Sequence, residues 1–439
     1  KYIEERTEDF AKLARHVKSF AAERVAKICG VEAEEIKKAA RMYAEAKKAA
    51  IYYAMGITQH ISGSHAVMVL SNLAMLCGNI GKEFTGVNPL RGQNNVQGSC
   101  DMGSLPDELP GYQKVDNKEM REKFEQAWGM KLPAESGKTL SEIIYGAENG
   151  STRFLYIMGE NPMITDPDLG RVKRDLEKIE FLVVQDIFFT ETAALADVVL
   201  PAASFAEKDG TFTNTERRIQ RVRKAIEPVG NSKADWQILM ELMNLWGIKQ
   251  KYNHPAEIMQ EIAGLVPEYA GITYDKLEQV GIQWPCLDQD HPGTMFLHEG
   301  KFDRGKALFV AADNISSAEL ADKDYPFIMT TGRVLFQYHS RTMTGRVEEL
   351  NEKAPESFIE VNTKTAKHLG LKTGNEVRVT SRRGSIITTV KVTDAIDEEV
   401  LFVPFHYANA KVNYLTNPQV DPLAKIPELK VAAVRVEKI

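Results

Sequence analysis

A chain of 439 residues can bury a substantial core, and at ~150 residues per domain it accommodates about three domains. The 55 Lys and Arg against 61 Asp and Glu leave a mixed, slightly acidic balance that argues against a nucleic-acid or polybasic membrane-surface binder and points to small ligands or protein partners. Cys29, Cys77, Cys100 and Cys286 contain no Cys-x-x-Cys pair, which excludes a disulfide framework and a complete iron–sulfur motif and suits a reducing compartment.

Phe10, Leu13, Val17, Phe20 and Ile28 recur at helical spacing behind Thr7, an N-cap candidate, with Gly30 where a C-cap would fall. A second helix is predicted over Ala33 to Lys47. A short buried strand over Ala50 to Met55 then leads through Gly56-Ile57-Thr58-Gln59-His60 into a helix from about Ser64 to Leu76. Residues 107–150 read as acidic, glycine-containing linker with one helix near Glu119 to Trp128. A cleaner pattern follows: strands over Phe154 to Met158, Phe181 to Val184 and Val198 to Leu200, with an amphipathic helix from Asp168 to Ile179. Strands apolar on both faces that alternate with helices imply a parallel sheet, whose ligands bind beyond the strand carboxyl ends. Here those ends are Gly159-Glu160-Asn161 and Gln185-Asp186. The best apolar run, Ala193 to Ala206, is interrupted by Asp197 and falls short of the ~20 residues that span a bilayer. From about Tyr325 short alternating strands take over. Glu376 to Thr380 and Ile386 to Val392 flank a hairpin turn, preceded by a short helix within Asn362 to Gly374, and a compact β-barrel is the most economical fold.

The segment Leu90 to Gly103 cannot build a core. It places Arg91 among Gly92, Gly98 and Gly103 and the carboxamides Gln93, Asn94, Asn95 and Gln97. Glycines allow backbone to approach a bound group, carboxamides donate and accept, and a guanidinium fits a small carboxylate bidentately. On composition alone, a glycine-rich surface loop is as open a reading as an anion or cofactor cradle.

The wording of this segment closely resembles one in the catalytic subunit of molybdenum- or tungsten-dependent formate dehydrogenases, of the molybdopterin oxidoreductase family. Further motifs stand in the family's order across essentially the whole chain: Gly56 to His60, Met158 to Pro162, Gln185 to Phe188, Ala196 to Pro201, Glu207 to Phe212 and Arg341 to Gly345. The resemblance implies parallel α/β sheet domains that bind molybdopterin guanine dinucleotide, followed by a C-terminal double-psi β-barrel. It divides the chain into residues 1–93, the C-terminal part of an incomplete α/β domain; 94–300, an α/β dinucleotide-type domain; and 301–439, the barrel, also cofactor-binding.

It further implies a bis-molybdopterin guanine dinucleotide carrying Mo or W. Each dinucleotide needs backbone donors and hydroxyls for its pyrophosphate and ribose, and an acidic acceptor for guanine. Gly56, Gln59, Gln93, Gly159, Glu160, Asn161, Thr165, Gln185, Asp186 and Asp209 are the candidates in the α/β part. Asp186 could instead cap its turn, with Glu160 solvated. In the barrel part Arg333, Gln337, His339, Ser340 and Arg341 form a second polar cluster, joined in the family pattern by His406, Asn413 and Lys430. His406, after an apolar strand, also reads as a hydrogen-bonded core residue.

Arg91 is the catalytic candidate, holding formate during its reversible oxidation to carbon dioxide, with electrons passing to iron–sulfur or other electron-transfer subunits. No metal ligand is expected in this chain: His60 and His65 are unsuitably spaced, and the surroundings of Cys100 do not match the family's metal-ligating site. That ligand, its neighbouring histidine and a [4Fe-4S] domain belong upstream of the matched part, so the chain alone is expected to be incomplete and inactive, and is completed by a missing segment or a separate polypeptide. It opens Lys-Tyr-Ile-Glu-Glu without a secretory signal, and a cytoplasmic location is expected. The alternatives are a nitrate reductase of the same family and a non-catalytic structural subunit of an electron-transfer complex.

Overall fold

The computed structural model describes residues 1–439. Near its start the expected single helix is broken into Phe10–His16, a tight turn over Val17–Ser19, and Ala22–Cys29. Thr7 is not the cap; it pairs with Ala307 in a short parallel ladder, and Asp9, at φ 63°, starts the helix instead. The break has a packing cause. Of the periodic apolar residues only Leu13 reaches a core, against Met75, Phe302 and Phe309, while Val17 and Phe20 stay exposed. Gly30 does close the second piece in the left-handed region, as expected.

Strand β1 (Ala50–Tyr53) pairs in parallel with β2 (Gly86–Pro89), joined through the helix Gly63–Leu76. The Leu90 to Gly103 segment leaves directly from the carboxyl end of β2. Residues 107–150 are no linker. They hold a small hairpin, the helix Lys118–Trp128 and the helix Leu140–Tyr145, and Phe124, Ile144 and Ala147 are buried. Most of their acidic residues lie on the outer faces, so composition concealed an apolar inner face.

Strands β3 (Phe154–Met158), β4 (Phe181–Asp186) and β5 (Val198–Pro201) form the parallel sheet that alternation predicted. The helix Leu169–Leu176, started by the side chain of Asp168, buries Val172 and Leu176 in one cluster with Leu182 and Val184. A second, antiparallel layer of β6 (Gly210–Thr213), β7 (Arg218–Val222) and β8 (Ile282–Gln283) was not read from the sequence. Its strands are short and rich in Thr, Arg and Gln.

The C-terminal part is a closed barrel of β9 (Phe327–Gly332), β10 (Phe358–Asn362), β11 (Glu376–Thr380), β12 (Ser385–Thr393), β13 (Val400–Pro404) and β14 (Ala432–Lys438), in the order β9-β13-β10-β12-β11-β14. The pairs β9/β13 and β10/β12 are parallel and the others antiparallel, which gives the interlocked double-psi arrangement. Val, Ile and Leu alternate inward along these strands to make the largest core of the molecule. Buried polar side chains dock the barrel on the α/β part. Asn413 donates to the carbonyls of Ile164 (2.8 Å) and Thr165 (3.0 Å), and Asp421 accepts from the backbone and hydroxyl of Ser64. No helix of the structure is long and apolar enough to cross a membrane.

Candidate functional site

The carboxyl ends of β2, β3 and β4 face the segment that follows β9, and the Leu90 to Gly103 segment lies between them. Arg91 donates through Nη2 to Cys100 Sγ at 3.0 Å, and its backbone N–H donates to Thr215 Oγ1 at 3.3 Å. No carboxylate engages its guanidinium. Asn94 N–H donates to the Tyr338 hydroxyl (3.0 Å), and Asn95, at φ 60°, starts the helix Val96–Asp101 and accepts from Thr213 N–H (2.9 Å). The glycines serve close approach, but to the protein itself. A Cβ at Gly92 would sit 2.9 Å from Arg333 Nη2, and one at Gly98 would meet the Asn95 side chain. Gln93, Asn95 and Gln97 each line a different cavity, of about 260, 280 and 1010 Å³ respectively.

The 260 Å³ cavity brings together Gln93, Gly159, Glu160, Asn161 and Asp186 from the α/β part with His339 and Ser340 from the barrel part. A neighbouring cavity of about 210 Å³ adds Arg341 and His406. Glu160 is recessed between protein walls though open to water in the cavity, and those walls, then the charge of Asp186, hold its carboxyl above the usual range. Burial likewise raises Asp186, against the opposing pull of the Ile187 and Phe188 N–H groups. Asp166, deeper still, is pushed up to about 7 by burial, with Glu160 adding to the rise and the Thr165 hydroxyl opposing it.

Other α/β candidates are spent on protein. Asn161 bonds Glu191 and Thr192, and Gln185 accepts from the Tyr156 hydroxyl and donates to Asp235 Oδ1 at 2.6 Å. Thr165 bonds the Asn161 carbonyl and Asp166. The side chains of these three are spent on shaping the strand ends, which leaves Glu160 and Asp186 as the carboxylates that line the cavity. Asp209, held by Arg221 at 3.0 Å, lies apart from this group, in the 280 Å³ cavity with Asp235.

The segment that follows β9 carries a cluster of cations, with Lys430 beside it. Arg333 donates to the Gly92 carbonyl, Lys430 Nζ to the Thr331 carbonyl at 2.7 Å, and Arg341 to the Pro355 carbonyl at 2.9 Å and to Asn351. None has a carboxylate partner. Burial, then the charge of Arg333, depresses Lys430 to about 8. The Nε atoms of Arg333 and Arg341 are buried without any partner. Gln59 reaches this cluster through its carbonyl, which accepts the Lys430 N–H at 3.4 Å; Gly56, in the same turn, has open space where a Cβ would be.

His406 is fully buried, and its Nε2 accepts the Val334 N–H at 2.9 Å, so Nδ1 carries the proton and donates to the His339 carbonyl. It fixes the 333–341 loop as a neutral side chain. His339 is depressed to about 4 by burial and by Arg333 and is neutral as well. Gln337 spends its amide on the Ala354 carbonyl and the Thr344 hydroxyl, and Ser340 bonds Thr342.

Three residues of this region escaped the sequence reading. Asp235, at the head of the helix Asp235–Leu245, stands in no motif, yet it joins Gln185 to Lys208. Tyr338 carries no motif signal but ties the barrel loop to Asn94. Asp101 is buried at 1 % exposure and accepts four hydrogen bonds.

Buried guanidinium nitrogens without partners and a desolvated lysine without a counter-ion leave positive charge unanswered on the barrel side, the basic wall, while raised carboxyls line the α/β side, the acidic wall. This donor set fits a ligand with both phosphate oxygens and a nucleobase. Comparison with known proteins agrees. Residues 5–245 match the family described as Molybdopterin oxidoreductase, and residues 327–433 match the Molydopterin dinucleotide binding domain, so the cofactor class is a molybdopterin dinucleotide. The F420-dependent formate dehydrogenase subunit alpha of Methanocaldococcus jannaschii is 52 % identical over all of this chain and 65 % of its own length. Formate dehydrogenase H of Escherichia coli is 43 % identical over all of this chain and 62 % of its own length. The chain thus spans somewhat under two thirds of these relatives. Acetylene hydratase from Pelobacter acetylenicus shares the fold, with a TM-score of 0.74 at 18 % identity over all of this chain and 67 % of that one. By its matched sequence and its fold, the chain belongs to the molybdopterin oxidoreductase family.

Proposed function

We propose that this chain is the larger part of a formate dehydrogenase catalytic subunit and that Arg91 is the group that binds formate. The observation that carries the reading is a guanidinium at the end of β2 that has only a sulfur as side-chain partner and no carboxylate. Formate would dock on its two parallel N–H donors, and neutral carbon dioxide, which cannot make that charged pair, would leave readily. Arg91 thus supplies binding and orientation of the substrate C–H. The relatives named as formate dehydrogenases support formate over nitrate as the anion.

The cofactor is proposed to be bis-molybdopterin guanine dinucleotide with Mo or W, which when bound supplies the acceptor for the two electrons released as formate becomes carbon dioxide and a proton. Arg333, Arg341 and Lys430 would neutralise its phosphates and pterin oxygens. Glu160 and Asp186 are the acceptors available to guanine N–H groups. Asn161, Gln185, Gln337, His406 and Asn413 would hold the walls in place. Onward electron transfer is assigned to a [4Fe-4S] cluster outside these residues and to a partner electron-transfer subunit, in the cytoplasm, where four free thiols are stable.

The test is Arg91→Ala in the complete, metal-loaded subunit. Formate kcat/KM is expected to fall by about two orders of magnitude or more, with metal content unchanged. Formate oxidation that survives the substitution, or nitrate reduction that exceeds it in the unaltered enzyme, would overturn the assignment.

A further inference from the structure

We infer that Asp101 is a positioning residue for Arg91, acting through Cys100; the inference rests on the reading of Arg91 as the formate-binding group. Asp101 closes the helix Val96–Asp101 and is buried. Its Oδ1 accepts from Gln97 Nε2 and the Tyr112 hydroxyl, both at 2.8 Å, and its Oδ2 from the Tyr269 hydroxyl at 2.7 Å and Trp284 Nε1 at 2.8 Å. Its carbonyl accepts the Gly111 N–H at 2.7 Å. Only an ionised carboxylate can accept from all four side-chain donors at once, because an amide would turn its own N–H groups toward two of them.

The donors come from the helix itself, from the loop at Tyr112, from the turn Pro267–Tyr269 and from the residue after β8. One buried anion therefore pins the last turn of this helix to three separate segments. Cys100, the residue before it, is thereby held at 3.0 Å from Arg91 Nη2. The arrangement solves a specific problem. An aspartate bonded directly to Arg91 would orient the guanidinium but also neutralise it and compete with a substrate carboxylate. Here the charge of Asp101 is consumed by four neutral donors, and the guanidinium is oriented by a sulfur that leaves its charge available.

The experiment measures formate affinity by calorimetry, and formate KM and kcat, on the complete loaded enzyme. Asp101→Asn and Cys100→Ala are each expected to raise Kd and KM about tenfold with kcat within about twofold, and Cys100→Ser, which keeps an acceptor at that position, to recover most of the loss. Tyr269→Phe, which removes one donor of four, should give a smaller rise of the same kind. In an Arg91→Lys background, where the guanidinium is gone, Asp101→Asn should add less than about twofold. An equal penalty in both backgrounds would mark Asp101 as merely structural and overturn the inference. Unchanged formate affinity in Cys100→Ala would do the same, even if Asp101→Asn fails to fold. If Arg91→Lys itself binds formate normally, the assignment of Arg91 falls and this inference with it; if it binds weakly while Asp101→Asn and Cys100→Ala do not, only this inference falls.

Discussion

On the acidic wall burial raises the carboxyls of Glu160, Asp166 and Asp186, and a neighbouring carboxylate adds to each rise; on the basic wall burial depresses Arg333 and Lys430, and the charge of Arg333 lowers Lys430 further. Both walls carry charge that burial disfavours, of opposite sign, and no ion pair joins them. The cations bond carbonyls, and the one amide among their partners is neutral. Elsewhere in the same barrel the fold behaves differently. In the β11–β12 turn, Arg383 reaches Glu319 at 2.7 Å, and Arg382 pairs with Glu319 and Asp322. Charges paired in one place and left unpaired in another are what the proposed cofactor site requires, at a cost in stability.

Removing charge from the basic wall should have the largest effect. Arg333→Met is expected to lower the dinucleotide content of the purified subunit by about tenfold or more, because a hydrogen bond to a charged group contributes ~1.5–3 kcal/mol. Cofactor content is read by extraction and metal analysis. Retained loading would mean that Arg333 only packs on Phe405, over whose ring its guanidinium sits at 5.6 Å. On the acidic wall, Asp186→Asn should cost several-fold in loading and relax the preference for a guanine-containing dinucleotide, since an amide can serve other bases. Equal loading with unchanged base preference would assign Asp186 to capping alone, consistent with its bond from the Ile187 N–H at 2.7 Å.

The parallel sheet and the barrel were legible because their strands obey simple periods: apolar on both faces in β4, alternating in β11 and β12. The β6–β7–β8 layer was not legible, because Ile219 is the only fully buried apolar side chain on short strands in which Thr, Arg and Gln interrupt the apolar residues. The site divides in the same way. Motif residues at strand ends could be named from sequence, but which of them face the cavity could not. Asn161 and Gln185 turn their amides into the protein, and only tertiary contacts with Glu191, Thr192 and Asp235 decide that. Asp101 was hidden for a related reason: its four donors are spread from Gln97 to Trp284 along the chain.

The smallest effects, on stability without cofactor, test the symmetry of the two walls through their pH dependence. Lys430 holds its proton in the folded chain only to about pH 8, against ~10.4 for an unfolded lysine. The unfolded state binds more protons between those values, so the penalty from Lys430 is full below about pH 8 and fades as pH rises toward ~10.4. Lys430→Met should therefore raise the melting temperature at pH 7 by ~1–3 °C, with the gain shrinking above pH 8. Asp166 runs the other way. Its carboxyl keeps a proton to about pH 7 when folded, against ~3.9 unfolded, so the folded state binds more protons in that window and stability falls as pH rises through it. Asp166→Asn keeps an acceptor for the Thr165 hydroxyl and should leave stability unchanged near pH 4 while raising it by a similar margin above pH 7. Opposite pH slopes for the two gains are what unpaired charge on both walls requires. A loss of stability in Asp166→Asn above pH 7 would show instead that the folded chain uses that carboxylate as a paired anion, and that only the basic wall is held for a ligand.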